Sequence, residues 1–396
     1  MFETLDMAPA DAILGLTDAF NKDENPNKIN LTVGVYKDEA GTTPIFTAVK
    51  KAEEKILADE STKGYLPING SADYSSAVQR LIFGDNHEII GSNRAITAHT
   101  PGGTGALRVA AEFIKLVNPE ATVWLSQPTW PNHPPVFHAA GLETVSYPYY
   151  DAESKTLDFE ALVASLNGVK PNDVVLFHGC CHNPTGMDPD AAQWTQLAKI
   201  VKEKQALAFF DFAYQGLGNG LDEDSVGLRT FCTEGCELLV TSSFSKNFGL
   251  YRERTGALTL VANDSDVASR SLSHLKRVIR ANYSNPPSHG AAIVTTILND
   301  ADLRAEWEAE VKDMCARIAD MRQQFVDKLK ALGVEQDFSF LTTQNGMFSF
   351  SGLTPEHVEK LRADYAIYLV GSGRINVAGL TPSNIDAFCE AVAAIV

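Results

Sequence analysis

The stretch "CELLVTSSFSKNFGLYRERTG" spans residues 236–256. Its apolar start reads as a buried strand, so Lys246 appears just after a strand has ended. The hydroxyls of Ser243 and Ser245 stand beside it, and Arg252 and Arg254 follow. Strand ends are where open α/β sheets bind ligands. Desolvation and neighbouring cations there favour the neutral, nucleophilic form of a lysine. The work that suits such an amine is a Schiff base. Taken alone, the motif reads better as an exposed lysine on a loop.

Other segments offer matching parts. "FFDFAYQGLG" (209–218) places Asp211 at the end of an apolar strand, with Tyr214 three residues on. A carboxylate there is costly unless paired. Its partner is a metal, an arginine or a protonated ring nitrogen. "TPGGTGALRVAAEFIKLV" (100–117) is a glycine turn opening into a helix, around Gly103 and Thr104. Free backbone N–H groups and the helix dipole suit it to a phosphate. It is no dinucleotide fingerprint, because Arg108 stands where a glycine is needed, and it lacks a P-loop lysine. "SQPTWPNHPP" (126–135) is a proline-rich loop carrying Trp130, which either plugs a core or stacks on a flat ligand. "HGCCHNPTG" (178–186) follows the strand "VVLF". Its Asn183 either shapes a tight turn or offers an amide to a ligand. As lone histidines, His133 and His178 read as core. A phosphate turn, a flat-ring stacker, a buried acid and a strand-end lysine occur in order, each after a strand. Pyridoxal phosphate asks for that set.

The elements that must position these residues are visible as texture. "ATVWLSQP", "VVLFHG", "ALAFFDFAY", "ELLVTSSF" and "GALTLVA" are short and continuously apolar, and helical stretches such as "AAQWTQLAKIVKEKQ" lie between several of them. That pattern predicts an α/β sheet covered on both faces. From about residue 301 the spacing of Trp307, Val311, Met314, Ile318, Met321, Phe325, Leu329 and Leu332 predicts one helix of about 30 residues. "GMFSFSGL" and "YLVGSGRINVAGL" read as strands or turns, and a helix closes the chain at 382–395. These predict a second, smaller α+β domain.

Composition sets bounds. The 396 residues are 44% apolar and 21% charged, enough for two domains. No apolar run approaches a membrane span, and "MFETLDMAPADAILGL" has no basic region leading into an apolar core, so no secretory signal is expected. The net charge of −17 argues against nucleic acid or anionic lipid as partner. An anionic substrate would then depend on a few local arginines. Cys180, Cys181, Cys232, Cys236, Cys315 and Cys389 form no disulfide or zinc pattern. Cys180 and Cys181 read as packed thiols, no metal is expected, and a reducing cytoplasm suits the chain.

With these motifs in place the chain resembles the class I aminotransferases of subgroup Iα, most closely the bacterial aspartate aminotransferases. The resemblance runs end to end through "INLTVGVYKDE", "GYLPINGSADY", "TPGGTGALR", "PTWPNH", "HGCCHNPTGMDP", "DFAYQGLGNG", "SFSKNFGLYRERTG", "IRANYSNPP" and "SGRINVAGL". It implies a fold-type-I pyridoxal-phosphate transferase: a large domain over 41–312 with a mostly parallel seven-stranded sheet, a small domain from 13–40 and 313–396, and an N-terminal arm over 1–12. It implies that Lys246 holds pyridoxal 5′-phosphate covalently and then shuttles the proton between substrate Cα and cofactor C4′. Asp211 would keep the ring nitrogen protonated, with His133 and His178 behind it. Tyr214 and Asn183 would bond the ring's phenolic oxygen, and Trp130 would stack on the ring. Gly103, Thr104, Ser243 and Arg254 would hold the phosphate, joined by Tyr65 from the other subunit of a homodimer with shared active sites. Arg374 would grip the substrate α-carboxylate and Arg280, again from the other subunit, the distal carboxylate. Gly34 and Phe348 would line the substrate pocket. Arg252 stands where many relatives carry a neutral residue, and it is read as a solvated charge. The activity implied is exchange of amino groups between L-aspartate and 2-oxoglutarate by a ping-pong cycle. The alternative is an aromatic-amino-acid (tyrosine) aminotransferase of the same subgroup.

Overall fold

The structure is a computed structural model and describes residues 2–8 and 14–396. The arm expected over 1–12 lies partly outside those residues. The chain divides into two compact units, Pro44–Ala316 and a smaller one in which Arg317–Val396 joins the N-terminal segment up to Thr43.

The larger unit is built on seven strands: β1 Ala95–Pro101, β2 Thr122–Gln127, β3 Glu143–Pro148, β4 Val174–His178, β5 Leu207–Phe212, β6 Leu238–Ser243 and β7 Thr255–Val261. Their order across the sheet is β1-β7-β6-β5-β4-β2-β3. All neighbours run parallel except at β7, which is antiparallel to both β1 and β6. The expected mostly parallel seven-stranded sheet is therefore present. Strands β4, β6 and β7 are buried at every residue, as continuous apolar runs require when both faces are covered. The helix Gly102–Val117 packs Leu107, Ala110, Ala111 and Ile114 into the same core as Val123, Leu176, Phe209 and Leu258.

Register delivers the chemistry. Asp211, near the end of β5, pairs with His178 on β4 and with Thr241 on β6. Three polar residues thus meet at one edge because three strands end together there. The helix expected from residue 301 is observed as Ala301–Ala331. In the smaller unit, Ile29–Asn30 pairs parallel with Ile367–Tyr368, and Phe348–Phe350 pairs antiparallel with Arg374–Asn376. The closing helix spans Ile385–Ala393.

One core residue sets a pH limit on the larger unit. His99 on β1 is fully buried against the Tyr74 ring, 4.6 Å away. Neither of its ring nitrogens has a partner among the described residues. Burial lowers its pKa to about 4. The unfolded chain therefore binds a proton that the folded chain refuses. The stability this neutral ring contributes is complete above about pH 6.5 and is lost as pH falls toward 4, costing about 2 kcal/mol by pH 5. His99→Gln should flatten the fall in stability between pH 7.5 and pH 5, measured by urea unfolding. Equal losses in wild type and variant would overturn this assignment.

Candidate active site

One pocket in the larger unit gathers most of the residues singled out from sequence. Gly103, Thr104, Trp130, His178, Asn183, Asp211, Tyr214, Ser243, Lys246 and Arg254 all line it, together with Leu107, Ala213 and Ser245. Gly103, Thr104 and Leu107 lie on the helix that follows β1 and Arg254 directly precedes β7, while the others arrive from the C-terminal end of a β-strand or the loop that follows it.

At one side the helix Gly102–Val117 begins directly after β1, and no side chain caps it. Its first N–H groups are therefore available to an anion. Gly102 has φ +75°, and a Cβ on it would lie 2.6 Å from Arg254 Nη2. A Cβ on Gly103 would lie 3.0 Å from the Ser243 Cβ. The glycines thus let an arginine and a serine close on the helix start. Ser243 Oγ lies 3.2 Å from Ser245 Oγ, adding a second hydroxyl. Arg254, with φ +52°, is oriented by a bond from its Nη1 to the Tyr251 carbonyl at 2.9 Å.

At the other side stands Asp211, with only 11% of its side chain exposed. His133 Nε2 lies 3.0 Å from its Oδ2, and Thr241 Oγ1 lies 3.2 Å from its Oδ1. Burial raises the carboxyl's pKa, but the His133 bond and nearby positive charge outweigh it and hold the group below the usual range. Behind it runs a chain with one consistent proton order. His133 Nδ1 meets Thr129 Oγ1 at 2.8 Å, Thr129 Oγ1 meets His178 Nε2 at 3.1 Å, and Asn183 N–H donates to His178 Nδ1 at 3.3 Å. Burial, helped by His133, pushes His178 down to about 3, so it is neutral. Its Nδ1 accepts from Asn183, so its proton sits on Nε2 and is donated to Thr129. Thr129 in turn links to His133 Nδ1, and His133 presents Nε2–H to Asp211. The His133 bond helps keep Asp211 anionic and ready to pair with a buried cation.

Between the two sides, Lys246 Nζ stands 5.0 Å from the centre of the Tyr214 ring. Asn183 Nδ2 donates to Tyr214 Oη at 3.4 Å. Trp130 meets His133 edge to face at 5.3 Å and packs on the core, as its core reading expects, while its ring also lines the pocket.

An anion-ready turn, a stacking ring, an amine and an ionised acid on one wall suit a flat cationic ring with a phosphate tail. The residues present fit pyridoxal phosphate on chemistry alone. Thr129, Thr241 and Ser245 were not singled out as ligands. Their roles depend on strand register and loop path, and a lone hydroxyl carries no signal of either.

The pocket does not include Tyr65, which is 95% exposed, or Arg280, which is exposed and bonds the Ser284 hydroxyl. Arg252 is exposed as well. The remaining three residues cluster in the smaller unit. The Arg374 guanidinium lies 4.2 Å from the Phe348 ring centre, and its Nη2 donates to the Thr32 carbonyl at 2.5 Å. A Cβ on Gly34 would come within 2.5 Å of Phe348 Cζ, so that position excludes any larger residue. Arg374 is only 3% exposed.

The sequence profile of class I and II aminotransferases matches residues 26–392. The chain is 57% identical over 395 residues to the aspartate aminotransferase of Escherichia coli, covering all of both chains. It is 42% identical over 396 residues to the tyrosine aminotransferase of Klebsiella pneumoniae, again over the full length of both. The crystal structure of an aromatic-amino-acid aminotransferase from Burkholderia pseudomallei, covalently bound to pyridoxal phosphate, superposes with a TM-score of 0.98. It shares 47% identity and covers 100% of this chain and 99% of that one.

Proposed function

The chain belongs to the class I and II aminotransferases, and from that premise we propose roles for the residues around Lys246 and Arg374. The activity is that of an aspartate aminotransferase: L-aspartate and 2-oxoglutarate give oxaloacetate and L-glutamate. The cofactor is pyridoxal 5′-phosphate. The observation that carries the reading is a strand-end lysine facing an ionised, histidine-backed acid across one pocket, in a chain 57% identical to such enzymes. That figure exceeds the 42% shared with the tyrosine enzyme, so the dicarboxylate reading is preferred to the aromatic one.

Gly103, Thr104, Ser243 and Arg254 hold the phosphate, and Ser245 adds a hydroxyl. Asp211 faces the ring nitrogen, with His133, Thr129 and His178 fixing its charge. Asn183 and Tyr214 donate to the ring oxygen, and Trp130 covers the ring face. When bound, the cofactor supplies an electron sink for the carbon that loses its proton. Lys246 is the attachment point. As a free amine it would carry the proton from the substrate Cα to cofactor C4′ in the first half of the ping-pong cycle and in the reverse sense in the second. Arg374 binds the α-carboxylate by a bidentate, charge-assisted pair, with Gly34 and Phe348 shaping its surroundings. Tyr65 and Arg280 serve the site of a second copy in a homodimer, which accounts for their exposure outside the pocket. A solution mass of one chain would overturn that part. No helix among the described residues is long and apolar enough to cross a membrane. A cytoplasmic location completes the proposal, and recovery of the activity in a membrane or secreted fraction would contradict it.

A substrate panel separates the arginines. Arg280→Leu should cost aspartate and glutamate about 3 kcal/mol in kcat/KM, roughly a hundredfold, and leave phenylalanine nearly unaffected. Arg374→Leu should cost every amino acid, because all carry an α-carboxylate. Equal losses across the panel for both variants would refute this division. Phenylalanine turnover above aspartate in wild type would favour the aromatic reading.

A further inference from the structure

Behind the turn that carries Asn183 lies a cluster the transamination reading does not use. Cys180 Sγ, Cys181 Sγ and a carboxylate oxygen of Asp224 all lie within 4.8 Å of one another and are buried. They surround Gly218. A Cβ there would meet Asp224 Oδ1 at 2.5 Å and Cys181 Sγ at 3.1 Å, so only glycine lets the two groups approach. Cys315 reaches the same glycine, donating from Sγ to its carbonyl at 3.2 Å. Asp224 Oδ2 accepts the N–H groups of Gly216 and Gly218, whereas Oδ1 accepts a single backbone N–H, that of Asn219. An oxygen lone pair therefore remains beside two sulfurs, with a third thiol close by. Tetrahedral ligands around zinc stand about 3.5–3.8 Å apart, with sulfur about 2.3 Å from the metal. Closing these three groups on an ion thus needs side-chain shifts of about an ångström, and Cys315, whose sulfur lies outside the 4.8 Å group, must move further.

We propose that Cys180, Cys181 and Asp224, with Cys315 as fourth ligand, form a binding site for a soft divalent cation of the zinc type. Three thiols and one carboxylate select such an ion over magnesium or calcium, which prefer all-oxygen sites. Cys315 is the half-buried member and the route of entry. The bound ion ties the turn 178–186, which presents Asn183, to the loop from Tyr214 to Ser225 and to the helix Ala301–Ala331. It therefore acts on the groups facing the cofactor without entering their pocket.

The test uses holoenzyme stripped with a chelator and dialysed against zinc, with bound metal measured directly. One zinc per chain is expected. Cys181→Ser and Asp224→Asn should each weaken binding at least about tenfold. In wild type, zinc should shield Cys315, the half-buried member, from alkylation, as read by mass spectrometry. This footprint needs no variant to fold. An unchanged alkylation pattern, or zinc held equally by Cys181→Ser, assigns the metal to surface histidines and overturns the site.

Discussion

Lys246→Ala is expected to lower transamination at least about 10⁴-fold while the fold persists, because both nucleophile and proton carrier are removed at once. Lys246 is half-buried in a pocket whose other walls supply an anion cradle and an acid, and nothing else lining that pocket offers an amine. Lys246→Arg sharpens the test. It keeps the positive charge, but a guanidinium does not deprotonate near neutral pH. If the lysine only balanced the charge of Asp211, the arginine variant would work. If it is the attachment point and base, both variants should lose turnover and the visible absorbance of lysine-linked cofactor, with unchanged far-ultraviolet circular dichroism. Wild-type turnover in either variant would end the assignment.

Lys246 and Asp211 were legible because strand ends are legible. Continuous apolar runs such as "ALAFF" and "CELLVT" show where β5 and β6 stop, and a charged residue just there is conspicuous. The hydrogen-bond chain behind Asp211 was not legible in the same way. His133 and His178 read as core when taken singly, and structurally they are core, 0% and 5% exposed. Their second role depends on Thr129, which bridges them only because the loop after β2 folds back over β4.

The smaller unit shows a different limit. Gly34, Phe348 and Arg374 are far apart in sequence and follow no periodicity, so only the family resemblance pointed to them. Their grouping has a simple physical basis: Phe348 and Arg374 lie on paired strands, and a glycine is required where the Phe348 ring approaches the backbone. Tyr65 and Arg280 mark a third limit. Under the proposal they serve a second copy of the chain, and a single chain's packing leaves no trace of such work. The paired cysteines were read as packed thiols, and they are fully buried. Spacing alone could not reveal that Asp224, more than forty residues on, shares their space.

Asp211→Ala is expected to retain the cofactor on Lys246 but to lower turnover by about 3–5 kcal/mol, roughly 10²–10⁴-fold. The loss has two sources. A protonated ring nitrogen without a facing carboxylate gives up its proton, and a neutral ring is a weak sink for the electrons left on the substrate carbon. The His133 Nε2–H also loses its acceptor in a buried place, which disturbs the proton order running back to Asn183. Asp211→Glu restores the charge but pushes the carboxylate one methylene further toward the ring, so its loss should be smaller. The spectrum separates catalysis from structure. If Asp211 serves the ring, the Ala variant should show a cofactor absorbance whose pH dependence differs from wild type, even where thermal stability is recovered by added substrate. If Asp211 serves only as a partner for His133, the Ala variant should melt earlier yet turn over within about twofold of wild type at a permissive temperature. That second pattern would leave the ionised carboxylate as a structural group and remove the central support for the site as described.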